Sequence, residues 1–414
     1  MNWKKLYKRS WTDIMNVKEV RKDFPVLKEN DLVYLDNACM TLRPEHVIKS
    51  ITDYYKKFPA CTGRSSHDLA RKATQKVKEA RKMVGNFIGT KNSKEVLFTR
   101  NTTESINLVS RSLQFERGDK VLTSDREHNS NLIPWQMLEE KNKIKHDIVR
   151  SDQQEEFSIE NFKDKISRET KLVSIVHTSN LDGYTLPIEQ IIKIAHENGA
   201  LVMIDGAQSA PHIKIDLKEL DADFFAMSAH KMCGPSGMGC LYVKEEIQEE
   251  IEPFMTGGET VNNSWYHRRE FSDPPEKFEA GLQNVAGIIG FGSACEYINK
   301  IGLENIEKHE RELNEKITDG LKDNEKIELI GVKDYKKRSG IFNFRVKNKD
   351  PHEIGMLLNE SSDIAVRTGM HCLHSWFNER NIEGSVRAST YFYNTIEEVE
   401  KFIRELKDIL NYLV

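Results

Sequence analysis

Val202-Met203-Ile204-Asp205-Gly206-Ala207-Gln208 is the stretch on which the fold turns. An apolar run that closes on a carboxylate and a glycine reads as a buried strand with Asp205 at its C-terminal end, where open α/β sheets collect their ligands. After a further apolar run comes Ser228-Ala229-His230-Lys231-Met232-Cys233-Gly234-Pro235, which sets a lysine between a strand end and a Gly/Pro turn. An amine and a carboxylate delivered in this way suit pyridoxal phosphate. The lysine bonds the aldehyde carbon, and the aspartate keeps the pyridine nitrogen protonated so that the ring draws electrons from the substrate α-carbon. Taken singly, each piece is equally well a loop aspartate or one more surface lysine, because short motifs discriminate poorly.

Outward from this centre, short apolar runs alternate with longer amphipathic ones. Leu32–Leu35, Glu95–Thr99, Lys120–Thr123, Lys171–His177, Ala200–Asp205, Ala222–Ser228 and Cys240–Val243 read as strands, and Ala70–Ile88 and Pro187–His196 as helices. Apolar strands separated by helices imply an α/β fold with a parallel sheet covered on both faces. After about residue 295 the pattern changes, and Ile341–Val346, Ile364–Arg367 and Val386–Tyr393 read as strands of a smaller α+β unit. The final helix opens on Thr395 with Glu398 three residues on, a capping box, and then presents Ile396, Val399, Phe402, Ile403, Leu406 and Leu410 on one face. The expected division is an N-terminal segment 1–30 packing on the small domain, a large domain 31–295, and a small C-terminal domain 296–414, with a long helix around 285–320 at the join.

Composition narrows the partners. The 414 residues carry 61 Lys+Arg against 65 Asp+Glu, a net charge of −4, so binding to nucleic acid through its phosphates is not expected. An apolar fraction of 38% beside a charged fraction of 30% describes a globular chain with room for a large core. The longest uncharged stretch, Ala280–Cys295, is too short for a bilayer span and is interrupted by Gly281, Gly287, Gly290 and Gly292, so no membrane association is expected. No apolar secretory core follows the basic stretch Lys4–Arg9. Six cysteines without a CxxC pair fit neither a disulfide scaffold nor a zinc finger, and a reducing cytoplasm is the expected setting.

The remaining site residues follow the strand ends in order. Asn101-Thr102-Thr103-Glu104 opens a helical run, where hydroxyls and N–H groups suit a phosphate, although a threonine there is more often a plain cap. His128, in Glu127-His128-Asn129-Ser130-Asn131, could stack on a pyridine ring; a lone histidine is more often structural or solvated. Asn180, in His177-Thr178-Ser179-Asn180, could reach the phenolic oxygen or the substrate carboxylate. Val366-Arg367-Thr368-Gly369-Met370-His371-Cys372 and Val386-Arg387-Ala388-Ser389 bring two rigid guanidinium forks suited to a carboxylate. Cys372 lacks an apolar run around it and reads as a nucleophile rather than as buried filler.

In this order, Thr102-Thr103-Glu104, Glu127-His128, Ser179-Asn180, Asp205-Gly206-Ala207-Gln208, Ser228-x-His230-Lys231, Phe278-Glu279-Ala280-Gly281, Arg367-Thr368-Gly369-x-His371-Cys372 and Arg387-Ala388-Ser389 form a set. With them the chain resembles the cysteine desulfurase/selenocysteine lyase group of the class V, fold type I pyridoxal-phosphate-dependent aminotransferase superfamily, from about Tyr34 to the final helix. The resemblance implies a mainly parallel seven-stranded sheet between helices and a homodimer with active sites at the subunit interface. It implies pyridoxal phosphate on Lys231, with Asp205 at the ring nitrogen, His128 stacked on the ring and Gln208 at the phenolic oxygen. Thr103, Ser228 and His230 would hold the phosphate, with Thr102 beside them among the cofactor-binding residues, and Asn180 and Arg387 would hold the substrate carboxylate, with Arg367 as a further substrate-binding residue. Cys372 would take sulfur from L-cysteine, or selenium from selenocysteine, leaving alanine. A sulfur-acceptor protein of iron–sulfur assembly or another thiolation pathway would then receive it. An aminotransferase, epimerase or C–S lyase of the same family, or a non-catalytic sulfur or metal carrier, are the alternatives.

Several positions depart from the pattern. Leu282 stands where a threonine usually reaches the neighbouring subunit's phosphate. Asn129 and Met370 replace histidines, and of Gly63-Arg64-Ser65-Ser66-His67 only Arg64 and His67 match. Cys39, Cys61 and Cys233 are also unusual. They read either as small residues filling small spaces, or as a sulfur relay or three thiolate ligands for a metal or iron–sulfur cluster around the cofactor pocket.

Overall fold

The computed structural model describes residues 15–141 and 143–413. Residues 1–14 of the expected N-terminal segment lie outside the described residues. A two-residue strand, Val33–Tyr34 (β1), precedes a seven-stranded sheet. Its strands are Val96–Thr99 (β2), Lys120–Ser124 (β3), Lys145–Val149 (β4), Thr170–Val176 (β5), Leu201–Asp205 (β6), Phe224–Ser228 (β7) and Gly239–Val243 (β8), in the spatial order β2-β8-β7-β6-β5-β3-β4. β7, β6, β5, β3 and β4 pair in parallel, and β8 runs antiparallel between β7 and β2.

Period-2 alternation divides each strand between two cores. Phe98, Leu122, Val173, Ile175, Val202, Ile204, Phe225 and Met227 join the side chains of helices Asp68–Phe87, Ile188–Glu197 and Val285–Ile301 on one face. Leu97, Val121, Leu172, Met203, Phe224 and Leu241 meet helices Thr102–Ser112 and Ile133–Glu140 on the other. From β3 the chain steps outward to β4 and then crosses back to β5 on the opposite side. This reversal is the topological switch point that opens a crevice beyond the strand ends. The loops leaving β3, β5, β6 and β7 all face it.

Beyond the large sheet, the chain forms an exposed antiparallel hairpin, Val261–Trp265 (β9) with Arg268–Phe271 (β10). A second sheet follows, built from Ile327–Leu329 (β11), Ile341–Val346 (β12), Arg367–Gly369 (β14) and Ser385–Ser389 (β15) in the antiparallel order β11-β12-β15-β14. Ile364–Ala365 (β13) pairs in parallel with β1. Helices Leu303–Leu321, Pro351–Ser362 and Ile396–Tyr412 cover this sheet over a third core. The Thr395–Glu398 capping box is formed, and Val399, Phe402, Leu406 and Leu410 are buried.

Two sequence expectations are corrected and one strand is added. The single helix around 285–320 is two helices, Val285–Ile301 and Leu303–Leu321, because Gly302 adopts φ +87°, a left-handed conformation that ends one helix and redirects the chain into the next. The strand expected over Val386–Tyr393 stops at Ser389, and Tyr391, Phe392 and Tyr393 instead fill an aromatic cluster with Phe24. β4 carries Lys145-His146-Asp147 on the sheet edge, where polar residues are tolerated, so hydrophobic patterning did not reveal it. Near the N-terminus, Arg21 pairs with Glu398 at 2.8 Å and donates to the Tyr393 carbonyl at 2.7 Å. No helix among the described residues is long and apolar enough to cross a membrane.

Candidate active site

The crevice at the switch point holds a pocket whose floor comes from β6 and β7. Asp205 ends β6, buried, and its Oδ1 accepts from the Ala207 N–H at 2.9 Å. Gly206 is a glycine because the Phe225 ring lies 2.0 Å from where a Cβ would sit. Burial pushes the Asp205 carboxyl up, opposed by the Ala207 N–H and by the charge of Lys231. Lys231 follows β7 in the short turn Ala229–Lys231 and lines the same pocket. Desolvation brings its amine below the ordinary ammonium range; Asp205 opposes that fall and Arg387 adds to it.

One end of the pocket is rich in hydroxyls at the start of the Thr102–Ser112 helix, which Asn101 caps by accepting from the Glu104 N–H. The Thr102 N–H donates to Ser228 Oγ at 2.9 Å, and the two hydroxyls share a hydrogen bond of 2.8 Å. Thr103 and Ser130 hydroxyls share another of 2.7 Å. His128 and His230 stand beside them. Burial, then the charges of Lys231, Arg387 and His374, pulls His128 down to about 3, so its ring is neutral at physiological pH. Burial, with Lys231 and Arg43, takes His230 to about 4. The Ser130 N–H donates to His128 Nδ1 at 3.0 Å, which leaves the ring proton of the neutral imidazole on Nε2.

The opposite wall comes from the second sheet. Arg387 on β15 is buried; its Nη1 donates to the Asn180 carbonyl at 2.9 Å, and Asp36 lies 3.8 Å from Nη2. Arg387 Nε is buried with no partner, as is Gln208 Oε1 across the pocket, whose Nε2 donates to the Ala38 carbonyl at 2.6 Å. A buried guanidinium without full compensation is costly and accepts an anion readily. Cys372 is exposed and sits just after β14 on a tight turn in which His371 and Cys372 both take positive φ, 50° and 61°. Two carbonyls of that turn are gripped by the large sheet's loops. Asn180 Nδ2 donates to the His371 carbonyl at 2.9 Å, and the Asn129 N–H donates to the Cys372 carbonyl at 2.8 Å. Asn129 also reaches His374 at 2.8 Å. In the sequence Asn129 stands only as a departure from the family pattern and Asn180 as a ligand-binding residue; their grip on the cysteine turn joins segments about 190 to 240 residues apart and has no local signal.

Thr102, Thr103, His128, Asn180, Asp205, Gln208, Ser228, His230, Lys231, Arg367, Cys372 and Arg387 all line this one pocket, and Cys39 joins them. Cys61 and Cys233 do not. Cys233 is wholly buried by a left-handed turn, φ 60°, whose N–H donates to Thr41 Oγ1, and Cys61 is exposed on the loop before the Asp68–Phe87 helix. Among the described residues no group of three or more His, Cys, Asp or Glu side chains is placed to hold a metal ion, which corrects the reading of Cys39, Cys61 and Cys233 as a ligand set. Glu279 of the Phe278–Gly281 motif is also structural, since it pairs bidentately with buried Arg81 at 2.7 Å.

The class-V aminotransferase model matches residues 33–402. The chain belongs to that family. It is 39% identical over 398 residues to a probable cysteine desulfurase of Pyrococcus abyssi, covering 95% of this chain and 98% of the relative. It is 37% identical to a cysteine desulfurase of Haloferax volcanii, covering 94% and 96%. Among solved structures, the apo cysteine desulfurase of Thermococcus onnurineus superposes with a TM-score of 0.92 at 38% identity, covering 96% of this chain and 99% of that one. A cysteine desulfurase of Escherichia coli in its S-sulfonic acid form gives 0.90 at 30% identity, covering 97% and 100%.

Proposed function

We propose that the chain is a pyridoxal-phosphate-dependent cysteine desulfurase that converts L-cysteine to L-alanine and leaves the sulfur on Cys372. The observation that carries the reading is the meeting of Lys231, Asp205, Arg387 and Cys372 around one pocket, although they come from two sheets. The residues fit the cofactor: a hydroxyl-rich helix start for a phosphate, a buried carboxylate for a ring N–H, a neutral imidazole for a ring face, and an amine of lowered basicity for an aldehyde. The orphaned Gln208 Oε1 has a polar group to meet there as well.

When bound, pyridoxal phosphate supplies the electron sink that lets an amino acid lose its α-proton. Lys231 would hold the cofactor through its aldehyde carbon, and its free amine would be the group placed to carry the proton to and from the substrate α-carbon. Asp205 would hold the ring nitrogen's proton, and Thr102, Thr103, Ser228 and His230 would anchor the phosphate. Arg387, with Arg367, takes the substrate carboxylate and aims its side chain at Cys372; Asn180 supports this from behind by holding both Arg387 and the cysteine turn. The Cys372 sulfur then bonds to the substrate sulfur as the substrate's C–S bond breaks, giving alanine and a persulfide on Cys372.

The division at residues 31–295 and 296–414 is part of the proposal, supported by a pocket whose lining comes from both sheets. A homodimer is part of the proposal, supported by the exposed side chains of Trp265, Tyr266 and Leu282. So are a cytoplasmic setting and an acceptor protein of iron–sulfur assembly or another thiolation pathway. The test is alanine formation from L-cysteine by the wild type and by Cys372→Ala, with cofactor absorbance confirming that both are loaded. Alanine from the wild type alone is expected. Pyruvate and sulfide in equal amount from both, in place of alanine, would make the chain a C–S lyase, and no alanine from either would end the proposal.

A further inference from the structure

Cys39 is the one pocket thiol besides Cys372 among the described residues. It sits on a turn held rigidly against the second sheet. The Cys39 and Met40 N–H groups both donate to the Asp36 carbonyl at 3.2 Å. The Ala38 N–H donates to Ser389 Oγ at 2.9 Å, and Asn37 Nδ2 donates to the Ser389 carbonyl at 2.7 Å. Arg367, five residues before Cys372, reaches across and donates from Nη1 to Cys39 Sγ at 3.6 Å. Lys231 and Arg387 line the same pocket as both sulfurs, which places the two thiols around one amine and one guanidinium. Arg387 and Gln208, whose Nε and Oε1 are buried without a partner, line the same cavity, so two of its walls carry polar groups left unsatisfied by the chain. A small-space filler needs neither a cation on its sulfur nor a view of the pocket; Cys233, which has no such view, is the contrast.

We propose that Cys39 is a second sulfur-holding thiol, which takes the terminal sulfur from the Cys372 persulfide and frees Cys372 for another turnover. This rests on the desulfurase reading above. In the step, the Cys39 thiolate attacks the terminal sulfur of the protonated persulfide Cys372–S–SH, and that sulfur carries its proton to Cys39. The bond between that sulfur and Cys372 Sγ breaks, and its electron pair stays on Cys372 as thiolate. One thiolate is consumed and one released, so no oxidant or reductant enters. Arg367 holds the Cys39 sulfur in place for the attack. Each subunit then stores two sulfurs before an acceptor arrives.

The experiment uses the full-length holoenzyme with L-cysteine, without oxygen, acceptor or reductant. Alanine is counted in the burst, and the quenched, alkylated protein is mapped peptide by peptide. Storage on two thiols predicts about two alanines per subunit, with sulfur on both Cys39 and Cys372. Cys39→Ala should stop at about one, on Cys372 alone, while Cys372→Ala should leave Cys39 unmodified. The wild-type map stands whatever the variants do. The proposal is overturned by sulfur confined to Cys372, whether as one atom or as a polysulfide. It is equally overturned by a Cys39–Cys372 disulfide with released sulfide, or by sulfur on Cys39 in Cys372→Ala. Failure of the underlying reading looks different: neither alanine nor added sulfur on any thiol.

Discussion

Replacing Asp182 by alanine should unseat the loop that carries Asn180. Asp182 is fully buried, and its Oδ2 accepts from Arg126 Nη1 and from the Val332 N–H, both at 2.8 Å, while Oδ1 accepts from the Tyr184 N–H at 3.1 Å. The side chain therefore ties the loop after β3, the loop after β5 and the second sheet's entry into one knot. Breaking a buried ion pair by removing one partner costs about 3–5 kcal/mol, because the other charge is left uncompensated. Arg126 keeps a second carboxylate, Glu155 at 3.6 Å, so the lower end applies. Two stranded N–H groups add about 1 kcal/mol each, giving a loss of about 5 kcal/mol, a large part of a typical folding free energy. Urea unfolding followed by far-UV circular dichroism measures it. Arg126→Met with Asp182→Leu removes both charges and should recover most of the loss. A loss under about 1 kcal/mol in Asp182→Ala, or a double variant no better than the single one, would refute this account of how the loop is held.

Other outcomes follow from the same geometry. Arg387→Lys keeps the charge but loses the fork and should lower kcat/KM for cysteine about ten- to a hundredfold, the worth of a charge-assisted hydrogen bond; a change under about twofold in steady-state rates would count against its contact with the carboxylate. His177 is buried and burial alone takes it down to about 4, against an unfolded value near 6.5. The unfolded chain therefore binds the proton first, so this contribution is present above pH ~6.5 and is lost as the pH falls through about 4. His177→Asn should flatten the acid limb of stability against pH, measured as urea midpoints from pH 7 to pH 4, and an unchanged slope would contradict the buried neutral ring. Thr395→Ala removes the cap of the final helix, where the Glu398 N–H donates to Thr395 Oγ1 at 3.2 Å, and should cost about 1 kcal/mol of stability in the same unfolding assay.

The parts of the site that were legible in the sequence share one property: they sit where an apolar run stops. Asp205, Ser228 and Lys231 follow strands buried on both faces, so their positions at the crevice come from local periodicity and a glycine or a turn. The Thr102–Ser112 helix start was legible for the same reason. What stayed hidden depends on contacts far apart in the chain or on side-chain direction. The amide of Asn180 goes to the carbonyl beside Cys372, and Cys233 turns into the core on a left-handed residue although it stands two positions from Lys231. β4 hid behind the polar character that an edge strand tolerates. The break at Gly302 was visible as a glycine but masked by the strong helical periodicity on both sides.

The central claim is that a thiol of the second sheet meets an amino acid held at Lys231. Rapid quenching of the holoenzyme within its first turnover of L-cysteine, followed by mass mapping of the peptide containing Cys372, tests it most directly. The account predicts one added sulfur on Cys372 for each alanine formed. Alanine formed at that rate with Cys372 unmodified would contradict it.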